Sequence, residues 1–505
     1  MGRAVQLNSN EVFIVPRLFA AAILGAALAL SPAAAETTLR VGVTALPSAL
    51  GNPFMGSAMP STLPWAAFFD TLTWLDDQGK ADQALAMDWQ ALDNRTWEFK
   101  LRPGVTFHNG EPFNADAVVA AVKYLTSSAG QRTSVGVNLG LIKKAEKRDD
   151  LTVVLLTDTP TPLLPLLTRQ LRIPAPAAWA KLGPEEFAKA PIGTGPFMVK
   201  SWGAAEITGV AATTSWRASK IDTLSVRVMP DSAARLAALV SGDLDVAMWL
   251  LAEDQPAVAA VGGQLISRRE PSLQMMTFVT AKASPIKDPR VRVALNLAVD
   301  RKKIIDAMLA GTTEPATQFS LPNTFGFDPA LEAYPYDPDR ARIMLSDAGY
   351  YRGFSMVVAL VPGQGMQAIY QQIAADLAGI GVKVELRPVP PAEFVSFLRD
   401  GDWPGPAFAN AQTIIDPLDT LRATACNDSK SFHCSRDVQA LVERTRGEFN
   451  IQQRLAMTRD IHRMQRLDPP ALFLWQGVAF DGVGASVKGY RVVQDMIRFE
   501  GIEKK

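Results

Sequence analysis

The chain has 505 residues, of which 51 are basic, 51 acidic, 3 histidine and 2 cysteine, and 48% are hydrophobic. A formal net charge of zero gives no electrostatic reason to bind nucleic acid or an anionic membrane surface, so we expect neither as a partner. The length exceeds what one compact core usually holds, which predicts a large globular protein of at least two domains.

The N-terminus carries the pattern of a secretory signal peptide. Arg17 precedes an apolar run over residues 18–30, and small residues follow up to Ala35. The run is shorter than the roughly 20 apolar residues that span a bilayer, so we interpret residues 1–35 as a cleaved signal, with a retained anchor or a buried core helix as the alternatives. No cysteine precedes Cys426, so the cleavage site lacks the thiol of a lipoprotein anchor. We therefore expect a periplasmic protein that is not anchored to the membrane.

Local patterns in the first half of the chain predict strands followed by a helix. Residues 38–43 alternate apolar with polar or small side chains, as a half-buried strand does. Residues 97–113 are typical of a β-meander, in which the alternation of apolar and polar residues resumes at Val105 and Phe107 after a tight turn. Asn114 then predicts the N-cap of an amphipathic helix.

The later chain repeats this alternation. Helices are predicted at 233–240 and 369–380, each followed closely by a strand. Asp288 and Asp337 both precede a proline, which predicts an N-cap with proline in the first turn of a helix. The fold class predicted is α/β, with mixed α+β character.

The sequence contains no motif that selects a reaction. It has no Gly-x-Ser-x-Gly elbow, no His-Glu-x-x-His, no phosphate-binding loop and no Cys-x-x-Cys. Residues 193–197 hold two glycines without the third of a dinucleotide fingerprint, and we interpret them as a tight turn into a strand. We expect His108 to make a structural hydrogen bond and His462 to lie on the surface. These features predict a binding protein without catalytic residues, metal or cofactor, and a periplasmic hydrolase using clustered carboxylates is the alternative from another class.

The two cysteines, Cys426 and Cys434, lie close together in the sequence. Oxidation is the usual state of such a pair in an exported chain, so we predict a disulfide. The alternative is a metal site formed by both thiols together with His433.

Three segments, taken in order along the chain, resemble a known family. They are residues 97–113, 191–202 and 288–301. Each is similar to a segment of the extracellular solute-binding proteins that include the dipeptide-, oligopeptide- and nickel-binding proteins of ABC importers. The resemblance implies a monomeric two-lobed periplasmic binding protein, which encloses its ligand between the lobes and delivers it to the membrane subunits of an ABC permease.

The resemblance also implies how the chain is divided. The first lobe would contain residues 36–270 and 480–505, with an inserted subdomain at roughly 65–190. The second lobe would contain residues 271–479. Closure of the lobes requires a few residues to absorb a rotation, and these are expected near 271–273 and 477–480.

The expected ligand is a short peptide or a peptide-like amino compound. In the peptide-binding branch an Asp-Pro step in the second lobe pairs with the ligand α-amino group, and Asp416 with its following proline matches that step. The resemblance therefore implies Asp416 as the anchor, with Asn410, Gln412 and Trp403 as pocket wall. The alternative role for Asp416 is the N-cap of a helix over residues 418–422.

Two observations keep other ligands open. The tryptophan usually found shortly before the Asp-Pro step is absent from residues 409–412. His433 falls near the region that carries a metal-facing histidine in the nickel-binding branch. The alternatives within the same fold are therefore a nickel-chelate binder and a binder of opines or oligosaccharides.

Overall fold

The computed structural model describes residues 1–2, 36–56, 64–363, 365–414, 416–420, 426, 431–494 and 496–505. The predicted signal peptide thus lies almost entirely outside the described residues. Residues 37–505 form one unit and residues 1–36 another. No helix within the described ranges combines the length and the apolar character needed to cross a bilayer.

The strands are numbered here in chain order. They are β1 (Thr38–Val43), β2 (Thr73–Leu75), β3 (Ala81–Gln83), β4 (Ala86–Ala91), β5 (Thr96–Leu101), β6 (Ile142–Asp149), β7 (Thr152–Thr157), β8 (Phe197–Trp202), β9 (Glu206–Ala211), β10 (Thr223–Val228), β11 (Val246–Leu250), β12 (Gln264–Phe278), β13 (Phe354–Leu360), β14 (Val382–Pro388), β15 (Ala407–Thr413), β16 (Ala471–Val483), β17 (Val487–Lys488), β18 (Val492–Val493), β19 (Met496–Ile497) and β20 (Glu503–Lys504).

The helices are numbered in the same way. They are α1 (Trp65–Phe68), α2 (Ala115–Leu125), α3 (Ser134–Asn138), α4 (Leu164–Leu167), α5 (Pro176–Phe187, kinked at Gly183), α6 (Ser232–Ser241), α7 (Gln255–Ala260), α8 (Pro289–Leu297), α9 (Arg301–Met308), α10 (Pro338–Asp347), α11 (Met366–Ala378), α12 (Pro391–Asp400), α13 (Pro417–Thr420), α14 (Arg436–Gly447) and α15 (Ile451–Leu467).

One mixed sheet of ten strands runs through the unit, in the order β14-β13-β15-β12-β16-β11-β1-β10-β9-β8. Its two longest strands, β12 and β16, pair antiparallel over most of their length. A separate four-stranded sheet has the order β4-β5-β7-β6. This mixture of parallel and antiparallel pairs with helices confirms the predicted fold class.

Buried apolar side chains form distinct cores that share the two long strands. One core, around α8, α9 and α11, takes Met276 from β12 and Leu472 from β16. Another, around β1 and β10, takes Val483 from the opposite end of β16. A third fills the space between the four-stranded sheet and α2. The long strands therefore connect two apolar cores along the chain.

The predicted helix starts are confirmed by their side-chain hydrogen bonds. Asn114, Asp288 and Asp337 each accept a bond from a backbone N–H in the first turn of α2, α8 and α10, at 3.3, 2.8 and 2.9 Å. Such a bond satisfies one of the four N–H groups that a helix start leaves without a partner, and contributes about 1 kcal/mol.

The second half of the predicted meander is wrong. Strand β5 pairs with β4 and β7, whereas Val105 and Phe107 lie outside any strand, next to a single bridge between Thr106 and Pro112. The chain instead folds back on itself, because the Phe107 N–H donates to the carbonyl of Glu111 at 2.8 Å. The side chains of Val105 and Phe107 are both buried in the core beside α2. Their alternation in the sequence therefore reflects burial of the side chains and not pairing of a strand.

Buried arginines join three helices to the strands through hydrogen bonds to backbone carbonyls. Arg235 of α6 donates to the carbonyls of Met248 and Trp249, at 2.7 Å each, at the end of β11. Arg292 of α8 donates to a carbonyl just before β16, and Arg301 of α9 to a carbonyl within it. Burial lowers the pKa of Arg292 and of Arg301 to about 10, so both remain cationic at neutral pH. Two residues of the segment 288–301 thus have structural roles.

The predicted disulfide between Cys426 and Cys434 is confirmed, with Cα atoms 4.7 Å apart. Oxidised thiols do not ligate metal, which removes the alternative site with His433. A double Cys426→Ser, Cys434→Ser variant is expected to lose about 2–3 kcal/mol of unfolding free energy in urea, because the cross-link restricts the unfolded chain. Reductant should lower the stability of the wild type to the same level and leave the variant unchanged. Equal stabilities without reductant would contradict this expectation.

Candidate functional site

The predicted ligand anchor, Asp416, is buried at the start of α13. One carboxylate oxygen accepts a hydrogen bond from Arg454 Nη2 at 2.6 Å, and the other accepts one from the Leu418 N–H at 3.0 Å. The hydrogen bond of the alternative N-cap interpretation is therefore present, while residues 421–425 lie outside the described chain. A ligand amine would have to displace or join Arg454, and the anchoring role of Asp416 stays a prediction.

The three predicted wall residues lie on or near β15. Asn410 and Gln412 share one face of that strand and are half-buried, and the Asn410 amide donates to Thr277 Oγ1 at 3.2 Å. Trp403 is 3% exposed and stacks on Phe408, with ring centroids 4.2 Å apart. The structure thus brings Asn410 and Gln412 together and places Trp403 in a packed core. Their contact with ligand stays a prediction.

His433 and His462 are buried, and His108 is half-buried. His108 Nε2 lies 2.9 Å from the carbonyl of Gly195, which confirms its structural hydrogen bond. The predicted surface position of His462 is wrong, because α15 turns this side chain inward against Ser320, at 2.9 Å, and leaves it 2% exposed. His433 is 3% exposed beside Thr280. Across the described residues no group of three or more His, Cys, Asp or Glu side chains is placed to hold a metal ion.

A cavity of about 430 Å³ lies where β11, β12 and β16 meet the ends of α9 and α11. Its walls are residues 249–253, Glu270, Gln274, residues 306–310, 365–366 and 368–369, Trp475 and residues 478–480. We call it the acidic cavity, because its ionisable lining residues among those described are Glu253, Glu270 and Asp306. It combines apolar and aromatic walls with a few polar groups, which is typical of small-molecule sites.

A buried charge network lies next to the acidic cavity and shares Glu270 with its lining. Arg268 Nε donates to Asp481 at 2.7 Å, and Arg268 Nη1 donates to Glu270 Oε1 at 3.2 Å. The Tyr490 hydroxyl donates to Asp481 at 2.9 Å. Burial alone would lower the pKa of Arg268, but the charges of Asp481 and Glu270 outweigh it and raise that pKa. Burial, reinforced by the charge of Asp481, also raises the pKa of Tyr490.

Trp249 links this network to the cavity wall. Its indole N–H donates to Glu270 Oε1 at 3.1 Å, and its ring lies 4.9 Å from the guanidinium carbon of Arg268. Its backbone φ is +52°, a left-handed conformation that a bulky residue rarely adopts. Strained residues of this kind are enriched at functional sites, where the surrounding contacts hold the strain.

The strand pairing is irregular beside the cavity. Between β12 and β16 the register changes from Arg269 opposite Val478 to Leu273 opposite Gln476. Gly477 lies at this change, and a Cβ atom built there would stand 2.2 Å from Ser272 Oγ and 3.3 Å from Glu270 Oε2. A side chain at this position would require Ser272 to move, so the polar face of β12 is packed closely against the β16 backbone.

A larger cavity of about 790 Å³ lies between residues 78–81 and 162–166 on one side and residues 322–329 on the other. Its walls are mainly apolar, with Trp89, Trp97 and several prolines, and its charged lining residues are Lys80 and Arg459. Its described lining residues include neither a buried ion pair nor a tryptophan with positive φ. We therefore regard the acidic cavity as the better candidate site.

Residues 80–431 match the family model described as bacterial extracellular solute-binding proteins, family 5, middle region. The chain belongs to this family. Membership confirms the resemblance of the three sequence segments, the solute-binding role and the predicted periplasmic location. Members are binding proteins, which agrees with the expectation that the chain is not an enzyme.

Individual relatives cover most of the chain. A probable di/tripeptide-binding protein 5 of Pseudomonas aeruginosa is 25% identical over 94% of this chain and 97% of its own length. The glutathione-binding protein GsiB of Pectobacterium atrosepticum is 29% identical over 73% of both chains. The ABC transporter-associated periplasmic binding protein DppA of Helicobacter pylori, solved in complex with the peptide STSA, has a TM-score of 0.77 and is 22% identical, over 92% of this chain and 98% of its own. This likeness shows that the fold is that of a periplasmic binding protein.

The network residues were not found from the sequence. Trp249, Glu270 and Asp481 come from three distant segments, and each one alone resembles an ordinary strand-end residue. The nearest signal was the expected hinge at residues 271–273 and 477–480, which adjoins Glu270.

Proposed function

We propose that this protein is the solute-binding component of an ABC importer, and that it captures short peptides or peptide-like amino compounds in the acidic cavity. The observation that carries the proposal is the cavity itself, which combines aromatic walls with carboxylates and has no basic side chain among its described lining residues. Such a lining favours a ligand that carries an amino group, since a buried ammonium requires an acceptor with opposite charge.

Two of the relatives support this ligand class. The Pseudomonas protein is named for di- and tripeptides, and the Helicobacter protein was solved with a bound peptide. The latter is also described as associated with an ABC transporter, which supports the membrane subunits of such a transporter as the partner of this chain.

We propose further that the lobes divide as the resemblance implies, with residues 36–270 and 480–505 in the first lobe and residues 271–479 in the second. The interrupted pairing of β12 and β16 supports a hinge here, because a register change leaves fewer ladder bonds to resist bending. The acidic cavity adjoins this interruption, so closure of the lobes would change the shape of the cavity.

Native mass spectrometry of the protein exported to and purified from a periplasm tests the proposed function. The probes are alanyl-alanine, leucyl-alanine and lysyl-alanine, added separately at increasing concentration. We expect one bound dipeptide per protein chain, lost on denaturation. An unchanged mass with all three dipeptides, while a metal chelate or a sugar is retained, would overturn the proposed ligand class and leave the family role standing.

A further inference from the structure

We infer that Glu270 holds the ammonium group of the ligand. The inference rests on the proposed function, since it assigns the anchor within the acidic cavity. It also differs from the anchor implied by the family resemblance, because Glu270 lies on β12, far in sequence from the Asp-Pro step at Asp416.

Glu270 shares its arginine partner with a second buried carboxylate. Asp481 is fully buried and Glu270 is 14% exposed, and both carboxylates share the single guanidinium of Arg268. Among the other acidic lining residues, Asp306 is paired with Lys302 at 2.8 Å, and Glu253 is exposed. The ion pair of Glu270 with Arg268, at 3.2 Å, is longer than that of Asp481, at 2.7 Å, so the charge of Glu270 is the less fully compensated of the two. A cationic group bound there would balance it, which makes the site selective for cations.

The two oxygens of Glu270 have different environments. Oε1 accepts hydrogen bonds from Trp249 and Arg268, which fix the orientation of the carboxylate. Oε2 accepts none from the described residues and lies beside Gly477. Gln274 lies on the same face of the strand and also lines the cavity. Its Oε1 atom is buried and has no hydrogen-bond partner among the described residues. An ammonium has three donors, and these two acceptors match two of them.

Aromatic rings line the same part of the cavity. Trp249, Trp475 and Phe480 are each at most 6% exposed and contribute to its walls. Aromatic faces attract cations, so these rings favour an ammonium group in this part of the cavity. Asp416, in contrast, is not among the lining residues of this cavity.

The test compares charge on the ligand with charge on the protein. Wild-type protein is titrated calorimetrically with lysyl-alanine and with its analogue acetylated at both amines, which keeps the backbone of the ligand and removes both cationic groups. We expect lysyl-alanine to bind at least tenfold more tightly than the acetylated analogue. This part of the test needs no variant and is independent of folding.

The variants are Glu270→Gln, Asp416→Asn and, as a matched control on the exposed face of β6, Glu146→Gln. Glutamine keeps an acceptor for Trp249 and removes the charge. We expect Glu270→Gln to weaken lysyl-alanine binding at least tenfold, with Glu146→Gln at the wild-type value and all melting curves cooperative.

Equal affinity of wild type and Glu270→Gln for lysyl-alanine would overturn the inference while leaving the proposed function in place. If binding were lost only in the Asp416→Asn variant, and that variant were folded, the anchor would be Asp416 and the inference for Glu270 would be overturned. If no dipeptide binds the wild type, the proposed ligand class fails, and the anchor fails with it.

Discussion

Replacing Asp70 by alanine is expected to remove about 3 kcal/mol of unfolding free energy, because it removes the buried counter-charge of Arg217 and leaves that guanidinium only its longer ion pair with Glu500, at 3.3 Å. Asp70 is fully buried and accepts hydrogen bonds from Thr194 Oγ1, Trp216 Nε1 and Arg217 Nε, at 2.7, 2.8 and 2.6 Å. These partners belong to the segments before β8 and after β9, so one carboxylate joins α1 to both. Urea unfolding followed by circular dichroism measures the change.

The matched control for Asp70 is Asp116→Ala. Asp116 also forms an ion pair, with Lys147 at 2.7 Å, but its side chain is 62% exposed. Exposed pairs contribute little because water screens them, so we expect a far smaller change than for Asp70. If the two variants were equally stable, the assignment of Asp70 as a core ion pair would be wrong.

The second large effect is acid destabilisation. Burial lowers the pKa of His433 to about 3 and that of His462 to about 4, and burial also lowers the pKa of His108. The unfolded chain binds protons at His433 and His462 near pH 6.5, whereas the folded chain does not. The free energy of unfolding should therefore decrease as the pH falls below 6.5, by about 1.4 kcal/mol per pH unit for each such histidine.

Urea titrations at pH 7.5, 6.0 and 5.0 measure this slope above the range in which most carboxylates titrate. His462→Gln is the informative variant, since glutamine can still bond to Ser320 and does not titrate. Its stability should depend on pH less steeply than that of the wild type, by about 1.4 kcal/mol per unit. Parallel slopes for the two proteins would show that His462 titrates normally in the folded state.

Much of the local structure followed from sequence because its causes are local. The side chains of Asn114, Asp288 and Asp337 reach the first turn of their own helices, so the residue type and its position suffice to predict them. The disulfide likewise joins cysteines only 8 positions apart. The failures at Phe107 and His462 have the opposite cause, since burial there depends on elements that pack from elsewhere in the chain.

The candidate site was predicted far less well than the fold. The acidic cavity is assembled by β12 and β16, whose paired residues lie about two hundred positions apart, so no local pattern joins Glu270 to Asp481. The Asp-Pro step at Asp416 was conspicuous in the sequence because it is contiguous. The sequence could not show that Arg454, 38 positions later, occupies its carboxylate.

The position of Trp249 has a practical consequence for optical work. Its indole N–H is bonded to the same carboxylate oxygen that Arg268 contacts, and its ring faces that guanidinium. The emission of an indole depends on the polarity and the charges around it. Binding of a ligand that redistributes charge at Glu270 should therefore change the emission of Trp249. Occupancy of the cavity could then be followed by intrinsic fluorescence, without a label.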